Sequence, residues 1–167
     1  MVSSELYTLL PATELHLSGI TSIYNEAILN TVATFDTEPK TTDDRRIWLQ
    51  QHNNKYPVYV ALFDKEVVGW ASLSRWSDRC AYDNTAEISV YISQAHQGKG
   101  LGKKLMQAVL NQGHANGLHT VLSRITEGND ISIRLHEQLG FTNIGVLKEV
   151  GRKFGRLLDV TMMQKIF

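Results

Sequence analysis

Residues Ser89–Leu110 read SVYISQAHQGKGLGKKLMQAVL. An alternating apolar run ends near Ile92. Three glycines follow at every second position, Gly98, Gly100 and Gly102, and then a helical pattern begins. Leu101, Leu105, Ala108 and Val109 fall on one helical face, while Lys103, Lys104, Gln107 and Asn111 fall on the other. A strand that turns through glycines into a helix presents backbone N–H groups beside the positive end of a helix dipole. Residues 98–103 could therefore wrap an anion. Glycine allows both the close approach and the unusual φ that such a turn needs.

Two phosphate-loop patterns fail here. A Walker A loop needs Gly, four residues, then Gly-Lys-Ser/Thr, but Gln97 stands at the first position and Lys104 follows Gly102-Lys103. A dinucleotide fingerprint needs a third small residue, and Lys103 or Leu105 occupies its place. Gln97-x-x-Gly100-x-Gly102 remains, with an ordinary ligand-free turn as the plain alternative. On the preceding strand Ile88, Val90 and Ile92 share one face, and Glu87, Ser89 and Tyr91 share the other. Glu87 thus stands on a strand leading to the glycine turn, as a solvated carboxylate or a functional one. In EGNDISIRLHEQLGF, Asn129, Ser132 and His136 share a helical face, and Ile131, Leu135 and Leu139 form an apolar one. A lone helical histidine is usually structural or solvated.

Outward from these motifs the chain alternates strands and helices. Strands are expected at Leu6–Leu10, Val58–Phe63, Val67–Leu73, Thr85–Ser93, His119–Ile125, Phe141–Val150 and Leu157–Ile166. Helices are expected from Leu17 to about Thr31, from an Asp43 or Asp44 cap to about Asn53, from the glycine turn to about Asn116, and over Asp130–Leu139. Asp64-Lys65-Glu66 suggests a hairpin turn. One α/β domain over residues 1–167 on a mixed sheet accounts for this order. Lys+Arg and Asp+Glu both count 17, which argues against a broad nucleic-acid footprint. The single cysteine, Cys80, leaves no internal disulfide and suits a reducing compartment. The first residues lack a signal-peptide pattern, and no apolar run reaches the ~20 residues of a membrane span. A cytoplasmic protein without nucleic-acid or membrane partners is expected.

QGKGLG resembles the acetyl-CoA signature Gln/Arg-x-x-Gly-x-Gly/Ala of the GCN5-related N-acetyltransferases (GNAT), and NDISIRLHEQLGF resembles their second cofactor helix. IYNEAILNTVATFDTEP, WSDRCAYDNTAEISVYI and VGRKFGRLLDVTMMQ extend the likeness to the phosphinothricin and methionine sulfoximine N-acetyltransferase subgroup, over nearly the whole chain. The resemblance implies a twisted mixed sheet of about seven strands with about four flanking helices, splayed between two parallel strands where acetyl-CoA enters. Backbone groups of Val90, Tyr91 and Ile92 would pair with the pantetheine arm. Gln97, Gly98, Lys99, Gly100, Leu101, Gly102 and Lys103 would hold the pyrophosphate, and Asn129 the pantetheine. Transfer would be direct, without a metal and without Cys80 as a nucleophile. Glu87 would take the amine's proton, a strand N–H would face the oxyanion, and His136, where many members place a tyrosine, could give a proton to the leaving thiolate. The acceptor would be a small amino-acid-like amine, with Arg75 or Arg79 for its carboxylate and Phe35, Ser77, Tyr82 and Glu87 lining its pocket. Ser77 and Leu157 depart from residues frequent in the subgroup, a basic residue and a tryptophan, and leave the exact acceptor open. A peptide or protein amine is the competing acceptor, and a non-catalytic acyl-CoA-binding module the competing function. A homodimer is expected from the resemblance.

Overall fold

The computed structural model describes residues 6–167, whose strands form one sheet in the order β1-β2-β3-β4-β5-β7-β6. The strands are β1 (Tyr7–Pro11), β2 (Val58–Phe63), β3 (Glu66–Arg75), β4 (Thr85–Ile92), β5 (Thr120–Thr126), β6 (Thr142–Lys153) and β7 (Arg156–Ile166). The helices are α1 (Leu17–Asn30), α2 (Thr42–Gln50), α3 (Leu101–Ala115) and α4 (Asp130–Gln138). Neighbouring strands run antiparallel except β4 and β5.

Strand alternation sorts the core onto the two faces of this sheet. Leu73, Ala86, Ile88 and Val121 meet Leu101, Leu105, Met106 and Val109 of α3. Val60 and Trp70 meet Ile20, Tyr24 and Ile28 of α1 on the other face. The helical period expected of α3 holds: Leu101, Leu105 and Val109 are buried. In α4, Leu135 and Leu139 pack against this core as expected, but Ile131 is exposed and Ile133 packs there instead, and His136 is buried.

The parallel pairing positions the site. Only Thr85, Ala86 and Glu87 of β4 pair with β5, opposite Thr120, Val121 and Leu122. β4 then runs on to Ile92 against β3, and β5 runs on to Thr126 against β7. The two strands part after Glu87. Backbone groups along such a gap need partners, so it is a place built to receive an extended group.

Local chemistry shifts three expected boundaries. Thr41, not Asp43 or Asp44, caps α2: its hydroxyl accepts from Asp44 N–H, and the Asp44 carboxylate accepts from Thr41 N–H. The first hairpin turn contains only Asp64 and Lys65, both left-handed. β6 continues past Val150 because Asp159 accepts from the amide of Glu149 and holds a bulge between Leu147 and Gly151. That bulge carries the end of β6 on to the segment around residue 35.

Candidate functional site

The free edge of β4 offers specific backbone groups. Trp76 N–H donates to Thr85 O, and Ser93 N–H donates to Val68 O. Hydrogen-bonded and non-bonded pairs alternate along an antiparallel ladder. Between those two bonds, therefore, the amides of Glu87, Ser89 and Tyr91 face β3, and those of Val90 and Ile92 face the gap. The Ile92 carbonyl is taken by the Gln97 side chain, Nε2 to O 3.1 Å. This corrects two sequence expectations. The Tyr91 backbone is used by the ladder, and Gln97 ties down the end of the strand. Val90 keeps both an amide and a carbonyl toward the opening.

A cleft of about 70 Å3 lies there, with Val90 and Tyr91 on one side, Ser123, Arg124 and Thr126 on the other, and Asn129 and His136 from α4. A larger hollow of about 560 Å3 lies between α1 and α2, but neither β4 nor β5 lines it. The β4 edge and the carboxylate beside it are what chemistry requires, so the smaller cleft is the candidate site.

Glu87 closes the paired part of β4. Burial pushes its carboxyl above the usual range, and Arg124 partly opposes this. Arg124 Nε lies 2.7 Å from Glu87 Oε2. The N–H is not aimed at that oxygen, so the contact is one of charge, and Oε2 is buried without a directed donor. Arg124 also lies over the Trp76 ring, 4.9 Å from its centre. Sequence reasoning missed Arg124, although an arginine within the apolar strand TVLSRIT is an anomaly that could have flagged it.

His136 is 3 % exposed. Its Nδ1 lies 2.7 Å from the Ser132 carbonyl, which can only accept, so Nδ1 carries the proton. Nε2 lies 2.8 Å from Ser123 Oγ and accepts from it in the neutral ring. Burial lowers the histidine's pKa. Both ring nitrogens are thus engaged inside the protein, which weakens the expected role of proton donor. Between the lowered folded pKa and about 6.5, the unfolded chain binds the extra proton. This histidine's contribution to stability is therefore full above that window and is lost as pH falls through it. Carbon-detected titration of the ring should show the neutral Nδ1–H form persisting below pH ~6.5. Ordinary titration at that pH would contradict the burial argument.

Gly98 and Gly100 have φ of 73° and 79°, and Gly100 caps the fifteen-residue helix α3. A Cβ on either would have nothing within 4 Å. These glycines therefore answer to backbone conformation and to an open surface above the helix N-terminus, not to packing. Lys99 and Lys103 are exposed beside the turn. The Leu101 side chain is buried in the core, leaving only its backbone to face an anion. Gly102 meets Leu135 of α4, 3.3 Å from a built Cβ. Asn129 Oδ1 caps α4 by accepting from Ser132 N–H, and its amide remains a donor at the cleft.

The expected acceptor residues divide. Phe35 lies under the end of β6, where a Cβ on Gly151 would stand 2.1 Å from its ring. Buried Lys153 Nζ donates to the Thr34 carbonyl at 2.7 Å. β6 therefore clasps the Thr34–Phe35 segment, a contact that sequence reading did not find. Arg75 pairs across the ladder with Ala86, one residue out of phase with Glu87. It lies on the opposite sheet face, bound to Asp83 at 2.5 Å and over Tyr56. Arg75 is thus removed from the Glu87 side. Ser77 Oγ accepts from Arg79 N–H in a local turn, and Arg79 and Tyr82 are exposed around the short turn Cys80–Tyr82.

Comparison with known proteins finds the same architecture. The sequence model of the Acetyltransferase (GNAT) family matches residues 20–141. The L-methionine sulfoximine/L-methionine sulfone acetyltransferase of Salmonella typhimurium is 41 % identical over 148 residues, 88 % of this chain and 86 % of that protein. A phosphinothricin acetyltransferase from Sinorhizobium meliloti, solved in complex with acetyl-CoA, superposes with a TM-score of 0.92 at 35 % identity, covering 97 % of this chain and 89 % of that one. A ribosomal-protein-alanine N-acetyltransferase from Brucella melitensis superposes with a TM-score of 0.92 at 35 % identity, covering 96 % and 99 %.

Proposed function

The chain belongs to the acetyltransferase (GNAT) family, and on that premise we propose that it moves acetyl from acetyl-CoA to the amino group of a small amino-acid-like acceptor of the methionine sulfoximine or phosphinothricin type. The observation that carries the reading is the parting of β4 and β5 directly after Glu87, with Val90 backbone groups turned into the gap. The cradle fits the cosubstrate: left-handed Gly98 and Gly100 leave open space above the amides that lead into α3. Lys99 and Lys103 add charge for the pyrophosphate, and Asn129 offers its amide to the pantetheine arm.

Glu87 removes one proton from the acceptor's ammonium group, which frees the nitrogen lone pair to bond the acetyl carbon. The Val90 N–H donates to the carbonyl oxygen as that oxygen gains charge. The new C–N bond leaves a second proton on the positively charged nitrogen. That proton passes to solvent as the carbon–sulfur bond breaks with its electrons on sulfur, and the thiolate takes a proton from solvent. His136, neutral and bonded to Ser123 and Ser132, holds β5 against α4 beside this point. Phe35 and Tyr82 line the acceptor side. Acting as one domain, the chain would form a homodimer through edge strand β6, where Ile144, Val146, Leu147 and Val150 are exposed. Exposed, unpaired Cys80 and acetyl-CoA dependence favour the cytoplasm; no helix among the described residues is long and apolar enough to cross a membrane.

The Brucella likeness favours one second reading, a protein N-terminal alanine as acceptor. Rates with L-methionine sulfoximine, L-methionine sulfone and phosphinothricin, measured against an alanine-terminated peptide, separate the two. Higher kcat/KM for the free amino acids supports the small-acceptor reading, and acetylation of the peptide alone overturns it. Gly151→Val tests the clasp on Phe35. The added side chain costs about 1–3 kcal/mol of overpacking unless the ring moves. Acceptor KM should therefore rise several-fold while acetyl-CoA affinity holds; an unchanged acceptor KM would remove Phe35 from the pocket.

A further inference from the structure

Arg124 stands two residues beyond Leu122, the last residue of β5 paired with β4. That even offset keeps its side chain on the Glu87 face, across the point where the strands part. One edge of the guanidinium meets Glu87 at 2.7 Å and its plane lies over Trp76. The side chain is nevertheless 54 % exposed, and Glu87 is its only ion-pair partner among the described residues. Donors therefore remain free, in a plane held by an indole, beside the carboxylate that must meet the amine. Arg75 is committed to Asp83 on the other sheet face.

We propose that Arg124 receives the carboxylate of the acceptor, and that in turning to it Arg124 releases Glu87 to act as the base. The inference rests on the small amino-acid reading above. A free amino acid is a zwitterion whose ammonium and carboxylate are borne by the same carbon. The Arg124–Glu87 pair is its electrical complement: guanidinium meets carboxylate and carboxylate meets ammonium. Exchanging partners leaves no charge unpaired, which is the condition for holding charges in a partly buried site. The planar fork of arginine also matches a carboxylate in two hydrogen bonds. The ammonium's proton then passes to Glu87 as described above. An ester or a peptide amine lacks the carboxylate, so Arg124 stays on Glu87 and competes with the amine for it. The other titratable groups near Glu87 do not offset this exchange. Burial raises the Tyr91 phenol to about 12, and His52, bonded to Ser74 opposite Glu87, is held toward its neutral form by burial.

The test compares L-methionine sulfone with its methyl ester in the parent, Arg124→Ala, Arg124→Lys and Arg79→Ala enzymes. The readout is the acid-to-ester ratio of kcat/KM, compared between enzymes so that the differing basicity of the two amines cancels. Arg124→Ala should lower the ratio by about 10–150-fold, the range for one charged hydrogen-bonded pair. Arg124→Lys should recover part of it, because lysine keeps the charge without the fork. Arg79→Ala should leave it in place. A parent enzyme with no preference for the acid would overturn the amino-acid reading itself. A parent preference that survives in Arg124→Ala, or that disappears in Arg79→Ala, would overturn the role of Arg124 alone.

Discussion

Glu87→Gln is expected to lower turnover on the order of 10²-fold while leaving acetyl-CoA affinity unchanged. The amide keeps the shape of the side chain but cannot take a proton from an ammonium group at any useful pH. The backbone of Glu87 belongs to the β3–β4 ladder, so the strand and the gap beyond it stay in place. Removal of its charge also frees Arg124, which has no other acid within reach among the described residues. In the parent enzyme the acid limb of kcat/KM should lie above the ordinary carboxylate range, because burial outweighs Arg124 at Glu87. That limb should vanish in the variant. A Glu87→Gln enzyme that turns over like the parent from pH 6 to 9 would remove Glu87 from the chemistry.

Gly100→Val should weaken acetyl-CoA binding about tenfold or more. Its φ of 79° is left-handed, which costs an L residue about 1–2 kcal/mol. A β-branched side chain adds further strain there and would project over the open surface at the α3 N-terminus. If the turn relaxes, its amides lose their aim; if it holds, the side chain covers the cradle. Gly117→Val is the control. Gly117 has a φ of 100° with nothing near a built Cβ, and it sits at the far end of α3. That variant should lose comparable stability and keep its affinity. Calorimetry that finds both variants binding like the parent would sink the cradle.

Much of this was legible in the chain. The strands and helices follow from alternation and helical period, and the glycines mark the turn into α3. What stayed hidden depends on register and distance. Arg75 and Glu87 look like neighbours in RWSDRCAYDNTAE, yet the β3–β4 pairing puts their side chains on opposite faces. Arg124 lies 37 positions after Glu87, and only the parallel register brings the two together. The clasp of Lys153 on Thr34 spans 119 positions and depends on the bulge that Asp159 stabilises. His136 falls on the expected helical face with Asn129 and Ser132, but sequence cannot say that this face turns inward and engages both ring nitrogens.

Direct transfer to a small amino acid is tested most plainly by stoichiometry. The purified protein is incubated with acetyl-CoA and L-methionine sulfone, and free CoA, N-acetylated product and intact protein mass are followed together by mass spectrometry. N-acetyl-L-methionine sulfone should form in a one-to-one ratio with released CoA, with no acetyl group left on Cys80 or elsewhere in the chain and no CoA release beyond background without the acceptor. Release of CoA without N-acetylated product, or an acetylated protein that forms and decays with turnover, would contradict direct transfer.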